Sequence, residues 1–176
     1  MVAFENFIVT PDLYASKGSR FTNYIIDLII FMLIAFGTLF LLATLFYALA
    51  EDTSPMDNFI NGLENINPLL DRLLTAIVLA LLYFSTETLL KGRTVGKYIT
   101  KTKVVLVDGT NPNALEYLKR SFSRVIPFEA LSFLGAEGRG WHDTISKTYV
   151  VDIQKYQAKL KAHDSLEQIG KNIENE

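Results

Sequence analysis

The chain has no cysteine and only two histidines, His142 and His163, among its 176 residues. The first absence excludes disulfides, thiolate metal sites and thiol nucleophiles. The scarcity of histidine argues against a histidine-based metal centre. Large net charge is missing too: at −2 overall, no global field draws in nucleic acid. Residues 51–70 contain no Lys or Arg, and residues 28–50 contain no charge of either sign. The opening MVAFENFIVTPDLY has no basic segment and meets Glu5, Pro11 and Asp12 before any long apolar run, so no cleavable leader is expected.

What the chain does have is apolar sequence gathered in blocks. A hydrophobic content of 49% with mean hydropathy +0.22 is high for a soluble domain of this length. The uncharged run from Leu28 to Ala50 is 23 residues long, and roughly 20 suffice to cross a bilayer as a helix. It extends backward to Arg20 with Asp27 as its one ionisable interruption. A second block opens at Asn67-Pro68, a capping residue followed by proline at the first helical position, and runs to Leu90 with Glu87 near its end. The expected fold class is therefore a mainly α membrane protein with transmembrane helices over about 21–50 and 68–90.

The connections set an expected orientation, because basic residues favour the cytoplasmic side. The link between the blocks carries Glu51, Asp52, Asp57 and Glu64, whereas Lys91, Arg93, Lys97, Lys101 and Lys103 follow the second block without an acid among them. Both termini should be cytoplasmic, in a multi-pass protein of the inner membrane, with the acidic loop outside. A third apolar segment, about 125–136, contains Pro127 and Glu129 and is too short to span; a re-entrant or interfacial helix is expected. The β-rich stretches at 102–109 and 148–153 should pair as a small cytoplasmic hairpin-like element. Residues 114–124 between them should be helical, with Lys119, Arg120 and Arg124 forming a basic face. The membrane domain is placed at 1–153 and a cytoplasmic tail at 154–176.

Arg20 and Asp27 are seven apart and share a helix face with Asn23 and Tyr24. A charge inside a spanning helix costs roughly 2.5 to 3.5 kcal/mol on insertion scales, so Asp27 needs water or a partner. Arg20 reaching back along the face is one candidate, and a basic group from a loop is another. Glu87 lies at a comparable depth and is expected either to share a proton or cation with Asp27 or to pair with Arg93 or Lys97. Gly92-Arg-Thr-Val-Gly-Lys97 fails as a phosphate loop: the spacing is GxxxGK, Tyr98 follows, and no strand precedes it. A tight turn with basic side chains near lipid head groups is the expectation. His142-Asp143 has no matching nucleophile, so catalysis is not expected there. A role in orienting the return to the 148–153 strand is, with Asp143 meeting Arg120 or Arg124. Glu129 is read as a lipid-interface or ion-pair residue.

These residues together resemble the RDD family of bacterial membrane proteins, named for one arginine and two aspartates. Arg20 and Asp27 match the arginine and first aspartate of the first helix, and Asp143 is placed as the second aspartate. Gly92, Thr94, Gly96, Lys97 and His142 look like the family's later landmarks. The resemblance implies two or three spanning segments and, from proposals made for some relatives, transport such as cation–proton exchange. The expected function is passage of a small ion or solute, a cation or proton, around Asp27 and Glu87. It would act as a homo-oligomer in the lipid bilayer, with no enzymatic activity, cofactor, metal or nucleic-acid partner. The alternative is a non-transporting membrane scaffold that recruits a protein partner or anionic lipid.

Overall fold

In the computed structural model, residues 7–135 and 138–174 are described. Among the described residues seven α-helices and two strands follow one another: α1 (Lys17–Leu49), α2 (Ser54–Glu64), α3 (Pro68–Leu89), α4 (Val95–Ile99), β1 (Thr102–Val105), α5 (Ala114–Ser123), α6 (Trp141–Ile145), β2 (Tyr149–Asp152) and α7 (Ile153–Glu174). The two apolar blocks become α1 and α3, which among the described residues are the helices long and apolar enough to cross a membrane. At 1.5 Å per residue α1 rises about 50 Å and α3 about 33 Å, against roughly 30 Å of hydrocarbon.

Ser16 starts α1 by accepting from Ser19 N at 3.0 Å, and Asn67 starts α3 by accepting from Leu69 N at 2.9 Å. Their burial is inverted relative to a soluble protein. The buried residues of α1 are Arg20, Asn23, Asp27 and Phe31, and those of α3 are Ala80, Tyr83 and Glu87. Leu33, Phe36, Phe40, Leu41, Leu69 and Leu73 are exposed. Soluble helices turn leucine inward and charge outward; here the charged stripe is inside, which suits an apolar surrounding. The two helices meet through Phe31 and Tyr83, edge to face with centroids 4.8 Å apart.

The strands pair antiparallel with Thr102 opposite Asp152 and Val105 opposite Tyr149. They differ from a hairpin in that α5 and α6 lie between them. The segment 7–15 lies along this ribbon: Val9 N donates to Val107 O at 2.8 Å and Ala15 N to Val150 O at 2.9 Å. Val9, Leu13, Val105 and Val151 form one small core, and Ala15, Val104, Tyr117 and Val150 another.

Two sequence expectations change, in the acidic link and the third apolar segment, while the tail takes the helical form that is one reading of its sequence. The acidic link contains α2, tied to α1 by Tyr47 Oη donating to Asp57 at 2.6 Å. The third apolar segment forms a 3-10 helix at Glu129–Leu134, entered through Phe128 with φ +64°; residue 136 lies outside the described residues. The tail is the helix α7, whose Tyr156 donates to Gly109 O at 2.8 Å and stacks edge-on with Phe7.

Candidate functional site

The polar stripe of α1 faces a turn, not lipid. Asp27 accepts from Thr94 Oγ1 at 2.6 Å and from Gly96 N at 2.8 Å. The turn can come this close because Gly96 has no side chain: a Cβ there would stand 2.7 Å from Asn23 O and 2.9 Å from Asp27 Oδ1. Gly92 serves the other side. Its φ of +85° is a region that L side chains avoid, and a Cβ would lie 2.7 Å from Val104 O. Thr94 also caps α4, and Asn23 bridges the hydroxyls of Thr100 and Thr102. The motif at 92–97 is thus a docking turn between α1 and β1.

Lys97 corrects the head-group expectation. It is 3% exposed, and its Nζ donates to Glu87 Oε1 at 2.8 Å. Burial lowers its pKa from the ordinary value, against the pull of Glu87 and Asp27. Of the two cations expected for Glu87, Lys97 is the partner, while Arg93 lies over the Tyr98 ring instead. Glu87 also meets Arg120 Nε at 3.1 Å, with Arg124 Nη2 at 3.9 Å. The carboxylates of Asp27 and Glu87 are therefore each engaged by donors of the chain, with Glu87 Oε2 left without a hydrogen bond.

Arg20 does not reach back to Asp27. Its Nη2 donates to Asp143 Oδ2, 123 residues away, and Arg120 Nη1 donates to Asp143 Oδ1. Two arginines forking onto one buried carboxylate are among the stronger pairings available. Burial works to raise Asp143, but Arg120, His142 and Arg20 hold it well below the usual carboxylate range. Burial likewise opposes the charge on Arg120, and Asp143 and Glu87 more than offset it, raising its pKa. Arg120 also donates to Thr148 at 3.0 Å, tying α5 to the start of β2.

His142 is buried, with Nδ1 against Glu129 Oε1 and Nε2 3.4 Å from Asp143 Oδ1. Burial and the nearby Arg124 push the imidazole down to about 4, so it is neutral at pH 7. Burial alone would raise Glu129, but the hydrogen bond from His142 brings it down to about 2. Glu129, 1% exposed, is thus a buried hydrogen-bond partner of His142.

The site joins Arg20, Asp27, Glu87, Gly92, Thr94, Gly96, Lys97, His142 and Asp143, all singled out in the sequence. What the sequence reading placed on an undivided basic face is Arg120, the residue joining Glu87 to Asp143. The inward spacing of Tyr117, Arg120 and Ser121 with the cap at Asn113 is the signal that distinguishes it from exposed Lys119. Apart from this cluster, His163, Asp164 and Glu167 gather on α7 with ligand atoms within 4.8 Å of one another. They are at least partly exposed, and acids so placed are common without an ion.

Two long apolar helices closed at one end by a buried arginine–aspartate network fit a membrane protein. The RDD family profile matches residues 14–147, about three quarters of the chain, and the chain belongs to the RDD family. Neither a curated protein nor a solved structure matches it.

Proposed function

We propose that the chain is a membrane scaffold in which α1 and α3 cross the bilayer and the buried charge network clasps them to a cytoplasmic subdomain. That subdomain consists of α4 to α6 and the two-stranded ribbon. The observation that carries this reading is the pairing of Asp27, Glu87 and Asp143 with donors and cations of the chain itself, which leaves only Glu87 Oε2 without a hydrogen bond among their oxygens. A carboxylate poised to bind a travelling cation would lack resident cations, whereas even Glu87 Oε2 stands 3.1 Å from Arg120 Nε. Here the ionic groups of α1, α3, α4, α5 and α6 lock the helices to one another, and Arg120 ties them to the ribbon through Thr148. The basic link after α3 supports both termini lying on the cytoplasmic side of the inner membrane. Exposed Lys101, Lys119 and Lys147 would then present positive charge to anionic lipid or to an acidic partner.

Transport of a small ion or solute is the second reading, favoured by a cavity inside the network lined by Arg20, Asp27, Lys97 and Arg124. It requires several copies, because two helices enclose no pathway alone. Reconstituted vesicles separate the readings. The clasp predicts that wild type and Asp27→Asn give equal proton flux under Na⁺, K⁺ and Li⁺ gradients, while the variant accumulates less protein in cells. Cation-driven flux that disappears in Asp27→Asn would replace the scaffold with an exchanger.

A further inference from the structure

The cavity inside the clasp has a volume of about 30 Å³, and its wall is uneven in charge. Arg20, Lys97, Arg120 and Arg124 all line it, whereas Asp27 is the one carboxylate in the lining. Both Asp27 oxygens are already taken by Thr94 and Gly96. Glu87 and Asp143 answer the cations without lining the cavity. His142, neutral at pH 7, adds no charge.

Among the described residues of this wall, one buried nitrogen, Arg124 Nε, is left without an acceptor. Arg20 spends Nη2 on Asp143. Arg124 lies with its guanidinium 4.1 Å from the centroid of the Tyr83 ring; its Nε has no acceptor, and its Nη2 stops 3.9 Å from Glu87. Solvent hardly reaches the wall: Arg20 is 7% exposed, Lys97 3% and Arg120 1%. Buried N–H groups without acceptors are unfavourable. A water molecule would accept from such a donor but would bring two hydrogens of its own to a wall dominated by cations. An occupant that only accepts, and carries negative charge, suits the wall better.

We propose that this cavity binds a small monovalent inorganic anion of the size and chemistry of chloride, held by Arg20, Lys97 and Arg124. The anion completes the clasp electrostatically and is independent of whether the protein transports anything. Arg124, with 15% of its side chain exposed against 6% for Arg20 and 4% for Lys97, marks the entry side.

The full chain, purified in detergent, is unfolded thermally in sodium gluconate and in sodium chloride at constant ionic strength. Gluconate is too large for the cavity. Chloride and bromide should raise Tm saturably. Arg124→Gln should abolish the rise, and Arg124→Lys, which keeps charge but loses the fork, should move half-saturation to severalfold higher chloride. Lys119→Gln removes the same charge from the exposed side of α5 and should respond as wild type does. Equal Tm in chloride and gluconate would overturn the proposal, as would an undiminished response in Arg124→Gln. Stabilisation by phosphate or phosphatidic acid in the absence of any chloride effect would also overturn it, by placing a phosphate group there.

Discussion

Gly96 shows how much of the site rests on the absence of a side chain. Its amide donates to Asp27 and its Cα lies against the backbone of Asn23, so an added methyl has nowhere to go but into α1. Gly96→Ala should lift the turn from the helix and leave Asp27 short of a donor. A loss of about 2 kcal/mol is expected from an unsatisfied buried acceptor, read as a lowered Tm in detergent. Arg20 acts at greater distance: Arg20→Gln leaves Asp143 with Arg120 alone, and breaking a buried pair costs roughly 3–5 kcal/mol. That variant should fall below Gly96→Ala in thermal stability. His142 supplies a pH dependence. Its pKa is lowered from 6.5 to about 4, so the unfolded chain binds a proton more readily than the folded one. Stability should be flat above pH 7 and decline as pH falls from 6.5 toward 4. Glu129, lowered to about 2, adds a further decline below 4.5. Thermal unfolding at stepped pH should show the upper decline flattened in His142→Gln; an unchanged profile would assign it elsewhere.

At the scale of elements, α1 and α3 were legible because length and lack of charge suffice to define a helix that needs an apolar environment. The caps at Ser16 and Asn67 mark their starts. The pairing of β1 with β2 was legible from β-branched residues, but its topology was not, since α5 and α6 fill the space between two strands that read locally as neighbours. The helix α2 escaped notice because it is short and Asp57, Asn58, Gly62 and Glu64 interrupt its apolar residues. Its Met56, Phe59, Ile60 and Leu63 nonetheless recur at helical spacing. For α5 the capping box of Asn113 and Glu116 fixes the first turn and thereby the direction in which Arg120 points. Asn113→Ala should cost about 1 kcal/mol. The loss should appear as a lower Tm, since α5 carries the residue that joins Glu87 to Asp143.

For the whole molecule the proposed topology has a direct test that the cysteine-free sequence makes clean. Single cysteines at Asn58, Asn111 and Lys161 should divide: Asn58→Cys labelled by an impermeant thiol reagent from outside, the other two only after permeabilisation. Outside labelling of Lys161→Cys would reverse the assignment of the tail. The sequence by itself determined the two apolar helices, the charge asymmetry of their connections and the identity of the polar residues that could not face lipid, because each follows from local composition and helical period. Only the tertiary structure decided who pairs with whom. Arg20 and Asp27 share a face and look like partners, yet Arg20 goes to Asp143 and Asp27 to the turn at Thr94 and Gly96. The reason is geometric: seven residues along a helix separate two side chains by about 10 Å, whereas packing α6 and α4 against α1 brings distant residues within hydrogen-bonding reach.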